Sequence, residues 1–257
     1  MSTIINRALR VLFQKLGYNP SGHLDPSETP PDFEEDFLQH YAQCKQYSMT
    51  SQQRMYALYQ SVIYIEENKI PGSIVECGVW KGGSAMLCAA ILKKRGSTSR
   101  DIYLYDTFQG MPKPSNIDVS HDGQKAIPQW EEMQKNDYNE WCYAKVQEVK
   151  TNMESTGYPK EKLHYVQGKV EDTLPEVLPN KISILRLDTD WYESTYHELE
   201  HLYPRLVKNG ILILDDYGHW TGAKNAVQQY FKEKGIHCLL NRVDYTCRIT
   251  TKVEHSE

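Results

Sequence analysis

Two acidic motifs lie in the second half of the chain. The segment ILILDDYGHW (211–220) runs four aliphatic residues into the adjacent carboxylates Asp215 and Asp216, with His219 just beyond. The segment LRLDTDWYEST (185–195) leads in the same way into Asp188 and Asp190. Paired carboxylates at the end of a buried strand are costly unless positive charge sits between them. In a parallel sheet, neighbouring strand ends lie about 5 Å apart, so three or four carboxylates would crowd one small volume. Such an all-oxygen cluster favours a hard divalent cation, Mg²⁺, Mn²⁺ or Ca²⁺, over thiolate-seeking metals. The alternative is that Asp216 caps the next turn and only Asp215 points inward. His219, on a loop facing the same crevice, is a candidate base, substrate contact or loop support. Arg186 is out of place in an apolar strand and implies a buried carboxylate partner.

A second constellation lies upstream. VECGVWKGGS (75–84) follows a strand and opens a helix, where glycines allow close backbone approach and free N–H groups face a ligand. The spacing is G-x-x-x-G-G, not the G-x-G-x-x-G of dinucleotide folds. Glu76 would repel a pyrophosphate and suits a cationic or amino-bearing ligand. DIYLYDTFQG (101–110) sets Asp106 at the end of the next strand, where an acidic residue commonly accepts hydrogen bonds from ribose hydroxyls; the alternative is a turn cap. Together these residues describe a positively charged nucleoside ligand without a pyrophosphate, which S-adenosylmethionine fits.

The elements that must position these residues alternate. Strands are expected at 73–78, 101–106, 163–168, 181–188 and 211–216, and helices at 50–68, 84–96, 194–210 and 222–235, with HCLLNRV and CRITTKV as a terminal strand pair. Thr50 or Ser51 would cap the first of these helices, and Gly210 and Gly235 would stop the last two. Continuous apolar strands alternating with helices imply an α/β fold with a mostly parallel sheet covered on both faces. In such sheets ligands bind beyond the carboxyl ends of the strands, and every motif above falls at such an end. Residues 107–162 form a long excursion between two strands, and long connections in compact domains are usually functional. Its first part, Met111 to Pro128, reads as an active-site lid; its second, 129–159, reads as a helix of several turns.

Length and composition bound the rest. The 257 residues are 40% hydrophobic and 25% charged, with a net charge of -5, which argues against a nucleic-acid partner. No stretch approaches the roughly 20 apolar residues of a membrane span. The first residues carry a short amphipathic pattern (Ile4, Ile5, Leu9, Leu12, Phe13, Leu16) with no signal-peptide cleavage site. It reads as a helical arm packing on the body or on a partner subunit, with a membrane-surface helix as the alternative, joined by a linker over 19–32. Residues 1–48 are therefore an arm and linker, and 49–257 a catalytic domain with its insertion at about 107–160. The arm suggests a homo-oligomer. Six scattered cysteines without a CxxC pair read as reduced thiols of a cytoplasmic protein.

The segments IPGSIVECGVWKGGSAML, YLYDTFQGMP, GKVEDTLPEVLP and LRLDTDWYESTYHELEHLYPRLVKNGILILDDYGHWTGAKNAV resemble the macrocin O-methyltransferase (TylF/MycF-type) family, in order and spacing, from about Met49 to about Tyr230. The family consists of class I S-adenosylmethionine-dependent methyltransferases, many metal-dependent and acting on sugar hydroxyls of natural products. The resemblance implies a Rossmann-like, seven-stranded sheet with one reversed strand. It implies a donor site at Thr50, Glu76, Gly78, Val79, Ser84, Asp106, Thr107, Gly168 and Asp188, with adenine near Val170 and Glu171, and Mg²⁺ at Asp188, Asp215 and Asp216. The chain departs from the wider class in carrying Trp80 where a glycine is common.

The expected reaction is methyl transfer to a hydroxyl of a small, glycosylated acceptor. Asp188 is the first candidate for the base, followed by Asp190 and His219. Trp130, Trp191, Tyr192 and Trp220 are candidates for stacking on the acceptor, packing being the alternative. A catechol-type O-methyltransferase of the same fold is the nearest rival. A nicotinamide-dependent oxidoreductase would need the missing G-x-G-x-x-G, and an idle binding protein would have lost carboxylates or glycines.

Overall fold

The structure is a computed structural model that describes residues 29–253. The apolar arm over Ile4–Leu16 and most of the linker lie outside the described residues. Helix α1 (Glu35–Cys44) contains the boundary between a first unit ending at Leu38 and a second beginning at Gln39. The second unit continues with α2 (Gln52–Glu67), β1 (Ser73–Cys77), α3 (Gly83–Lys94) and β2 (Ile102–Asp106). The insertion holds α4 (Ala126–Met133) and α5 (Val146–Ser155), followed by β3 (Leu163–Gln167) and α6 (Val170–Thr173). Then come β4 (Ile182–Leu187), α7 (Tyr192–Leu202), β5 (Leu206–Leu214), α8 (Thr221–Glu233), β6 (Asn241–Arg242) and β7 (Arg248–Thr251).

The seven strands form one sheet in the order β3-β2-β1-β4-β5-β7-β6. Strands β1 to β5 pair in parallel, and β7 runs antiparallel to both its neighbours. This is the class I methyltransferase arrangement, with its single reversed strand. Every residue of β4 is buried, which is why the sequence shows an apolar run there instead of alternation.

The two faces of the sheet differ in a way that matters for the site. Val75, Cys77, Leu185, Leu187, Leu212 and Leu214 share one face with Leu199 and Leu202 of α7 and Val227 and Tyr230 of α8. Each fully buried aliphatic side chain of this kind contributes about 1.5–3 kcal/mol. Side chains alternate along a strand, so Glu76 and Arg186 fall on the opposite face. They are cross-strand neighbours in register, with Ile213 beside Arg186.

Two expectations about elements are corrected. The helix expected over 194–210 ends at Leu202, and Leu206–Gly210 already belong to β5. Pro204 sits in a short 3-10 turn that closes the helix, because its ring and missing N–H do not continue an α-helix. Asn209 takes a left-handed backbone (φ 63°) where the β4–β5 register shifts; Gly210 thus belongs to a strand irregularity, not a helix stop. The several-turn helix expected over 129–159 is split into α4 and α5. Between them Gln134 is extended and Cys142 has φ 54°, and Asn139 is buried and donates to the Trp130 carbonyl.

The insertion is tied down on the body. Asp118, buried, accepts from Tyr192 N at 2.9 Å, which supplies the N-terminal cap that α7 lacks from its own residues, and from Ser115 N and Oγ at 2.7 and 2.6 Å. Thr221 N, at the start of α8, donates to the Val119 carbonyl at 2.8 Å. Trp191 Nε1 reaches the Pro112 carbonyl at 3.0 Å.

Candidate active site

Beyond the carboxyl ends of β1 to β5 opens a cavity of about 440 Å³. All the residues assigned from the sequence to donor, base or cation line it. The β1–α3 turn builds one wall. Gly78 has φ 81°, and a Cβ there would stand 1.8 Å from the Asp188 carbonyl oxygen, so only glycine lets the ends of β1 and β4 meet. Trp80 has φ 47°, which explains why the wider class favours glycine at this place. Val79 N and Trp80 N donate to Asp106 Oδ2 at 2.7 and 3.0 Å, and Phe108 N donates to Oδ1 at 2.7 Å. Asp106 therefore clamps the turn, the alternative raised from sequence, while still lining the cavity. Thr107 Oγ1 closes its own turn on the Gly110 carbonyl at 2.6 Å.

Arg186 is the hub of the charged layer. Its Nη1 lies 2.6 Å from Glu76 Oε1 and 2.7 Å from Asp188 Oδ2. Its Nη2 donates to Asp215 Oδ1 at 2.6 Å and to Thr50 Oγ1 at 3.1 Å. Arg54, from the first turn of α2, donates through Nη1 to Asp215 Oδ2 and through Nε to Asp244 Oδ2 at 3.0 Å. The positive charge between the strand-end carboxylates is thus, in part, two guanidiniums.

Carboxylates still outnumber them. Burial pushes Glu76 up to about 7 against the opposing pull of Arg186. Asp188 is raised to about 6 by burial, again opposed by Arg186. Asp190 is raised to about 7 and Asp216 well above the carboxylate range, both by burial first and by their neighbouring carboxylates next. Asp190 and Asp216 share a hydrogen bond between their carboxyl groups, and Asp190 N also reaches Asp216 Oδ2 at 3.3 Å. Asp190 takes a left-handed backbone, φ 66°, a conformation aspartate tolerates better than most residues.

One oxygen from each of Asp188, Asp215 and Asp216 lies within 4.8 Å of the others. The donor set is oxygen only, and Asp188 keeps 27% of its side chain exposed. With uncompensated negative charge in the same layer, these residues fit a hard divalent cation. Elsewhere in the cavity, Glu76 Oε2 and Glu171 Oε2 are buried without a hydrogen-bond partner. Two orphaned carboxylate oxygens in one cavity fit a ligand carrying two separate amino groups.

His219 is partly exposed, near His121 (ring centroids 5.3 Å apart), with Nδ1 3.3 Å from Tyr245 Oη. Burial, then His121, lowers its pKa, so the imidazole is neutral near pH 7. Of the four proposed stacking residues only Trp220 lines the cavity. Trp191 is buried between Trp141 and Trp220, Trp130 Nε1 is tied to the Met111 carbonyl at 2.8 Å, and Tyr192 Oη bonds Gln229. Sequence reasoning missed Arg54, Trp141 and Cys142, all on the cavity wall. Arg54 sits in the first turn of α2, where the cap Ser51 Oγ accepts its backbone N–H at 3.2 Å.

Residues 35–252 match the family model described as macrocin O-methyltransferase (TylF). The chain belongs to this family. It is accordingly an S-adenosylmethionine-dependent O-methyltransferase. It is 32% identical over 200 residues to the 8-demethyl-8-(2,3-dimethoxy-alpha-L-rhamnosyl)-tetracenomycin-C 4'-O-methyltransferase of Streptomyces olivaceus, covering 78% of this chain and 73% of that one. It is 30% identical over 200 residues to the mycinamicin III 3''-O-methyltransferase of Micromonospora griseorubida, covering 77% and 75%. Among solved structures it is similar to the O-methyltransferase NovP, with a TM-score of 0.69, 30% identity and coverage of 81% and 83%. Family membership displaces the nicotinamide-dependent reading.

Proposed function

We propose that this family member methylates a sugar hydroxyl of a glycosylated natural product, using a divalent cation held by Asp188, Asp215 and Asp216. The observation that carries the reading is the juxtaposition, in one cavity, of the orphaned oxygens of Glu76 and Glu171 with the three-aspartate cluster. The relatives named for methylation at a rhamnosyl 4' position and at mycinamicin 3'' support the choice of a sugar acceptor.

S-Adenosylmethionine supplies a methyl group on a sulfonium that carries its own leaving group. Glu76 would take its ammonium and Glu171 the amino group of adenine, with Gly78, Val79, Ser84, Asp106, Thr107, Gly168 and Val170 shaping the donor wall beside Thr50. A cation on the aspartates would stabilise developing alkoxide charge on the acceptor. Asp188, held at Oδ2 by Arg186, offers Oδ1 as base for the hydroxyl proton. The Asp190 carboxyl already engages that of Asp216, and His219 engages Tyr245, so both rank behind it. The insertion, through Gly110, Met111, Pro112 and Trp141, would roof the acceptor and exclude water.

Among the described residues no helix is long and apolar enough to cross a membrane. All six cysteines are free, which supports a reducing, cytoplasmic setting; the homo-oligomer is inferred from the N-terminal arm and is tested by sedimentation. The test of function is transfer of labelled methyl to a panel of glycosides and catechols, with and without a chelator. Glycosides should be labelled, and chelator or the double change Asp215→Asn, Asp216→Asn should abolish transfer while donor binding persists. Labelling of catechols alone would replace the sugar reading, and full activity in chelator would remove the cation from it.

A further inference from the structure

Asp215 is held from both sides, and the two arginines that hold it are not equivalent. Arg186 is 4% exposed and fixed by four partners, Glu76, Asp188, Asp215 and Thr50. Arg54 reaches in from α2, is 16% exposed, and bonds two carboxylates on opposite sides of its guanidinium: Asp215 Oδ2 through Nη1 and Asp244 Oδ2 through Nε. Asp244 is itself anchored. Its Oδ1 accepts from Thr246 N at 3.0 Å and Cys247 N at 2.9 Å, and Ser51 Oγ donates to its Oδ2 at 2.8 Å. Arg54 thus has one end on a fixed surface-loop carboxylate and the other on an oxygen of the acidic cluster.

Resting on the cation reading above, we propose that Arg54 is a built-in competitor for the divalent cation, occupying Asp215 until the cation displaces it, and that Asp244 holds the displaced guanidinium. The physical basis is repulsion. A guanidinium bonded to a ligand carboxylate opposes a dication on the same group at a separation of a few ångströms, in a layer with little water to screen it. With Asp244 present, Arg54 can give up the Nη1 contact while keeping a charged partner at Nε. Asp215 would keep Arg186 on Oδ1 throughout. Arg54 is therefore a positioning residue that sets how much cation is needed, not a group that touches the reacting atoms.

The test measures Mn²⁺ binding by electron paramagnetic resonance in the full chain, without substrate, alongside thermal unfolding and S-adenosylhomocysteine binding. Arg54→Gln should bind Mn²⁺ about tenfold more tightly or better. Arg54→Lys keeps the charge but cannot bridge Asp215 and Asp244 through two nitrogens at once, so its Mn²⁺ affinity should fall between those of the wild type and Arg54→Gln. Asp244→Asn, which removes the alternative partner, should bind several-fold more weakly, and this opposite sign guards against a merely disturbed Arg54→Gln protein. Saturable binding in the wild type with Arg54→Gln no tighter would overturn this inference and leave the cation site standing. Binding in Arg54→Gln alone would support it in its strongest form. No binding in any variant would overturn both the inference and the cation reading.

Discussion

Glu198 of α7 is a carboxyl group with no exposure to solvent, lodged beneath the site. Its Oε2 accepts from Thr189 Oγ1 at 3.1 Å and its Oε1 has no partner. Thr189 lies between Asp188 and Asp190, so Glu198 supports the turn that carries both. Burial raises its pKa well above the ordinary value of 4.5, and Glu171 and Asp188 raise it further. The folded protein therefore keeps a proton that the unfolded chain releases. Since the folded state binds more protons, stability must fall as pH rises from the unfolded value toward the folded one. The contribution is fully present below the unfolded pKa, and each pH unit in the window removes up to about 1.4 kcal/mol. Glu198→Gln mimics the neutral acid and cannot lose a proton. It introduces one extra amide hydrogen without a partner, a pH-independent cost of about 1 kcal/mol. The difference in unfolding free energy between Glu198→Gln and wild type should then climb with pH, gaining up to about 2.7 kcal/mol over two pH units. The other raised carboxyls, Glu76, Asp188, Asp190 and Asp216, titrate in both proteins and largely cancel in the difference. Urea unfolding at several pH values between about pH 5 and about pH 8 reads this slope directly. Parallel curves for the two proteins would show that Glu198 is ionised in the fold and would refute the argument.

Three further outcomes are expected. Gly78→Ala places a Cβ 1.8 Å from the Asp188 carbonyl at φ 81°; it should cost roughly 2–5 kcal/mol and abolish S-adenosylhomocysteine binding by calorimetry. Asp118→Ala removes the cap on α7 and the Ser115 contacts, so stability should drop by about 1–2 kcal/mol. Because Asp118 pins the insertion, the acceptor KM should rise while donor affinity holds. Arg186→Met leaves Glu76, Asp188 and Asp215 without their shared cation, an expected loss of about 3–5 kcal/mol in chemical unfolding, and a loss below about 1 kcal/mol would show that Arg54 alone suffices.

The strands and the rim were legible because both rest on local signals. Apolar runs such as ISILRL and ILIL, short and alternating with helical segments, mark buried parallel strands, and polar residues just after them mark the ligand-facing ends. Gly78 was legible as a close-approach glycine, though not its partner, the Asp188 carbonyl 110 residues away in sequence. The helix ends were less legible. Pro204 was a visible stop, but Gly210 looked like a better one because a left-handed Asn209 inside a strand leaves no sequence trace. The packing of Trp191 against Trp141 and Trp220, as opposed to stacking on an acceptor, depends on where the insertion lies, and that is a tertiary fact.

The charged layer shows where local reading runs out. A strand ending in paired carboxylates states a demand for positive charge without naming its source. Arg186 was visible as an anomaly, and its partner was available in principle: Glu76 and Arg186 each stand next to last in their strands and pair in register. Arg54 was not, because it occupies an ordinary polar position of a helix whose apolar face explains the rest of its sequence. Counting the groups decides what the arginines leave undone. Glu76, Asp188, Asp190, Asp215 and Asp216 face two guanidiniums, and the hydrogen bond between Asp190 and Asp216 retires only one charge. The remaining negative charge falls on either side of Arg186, at Glu76 on β1 and at the aspartates beyond β4 and β5. A cationic donor and a divalent ion would each meet one of these demands, so one charge imbalance favours both proposed ligands.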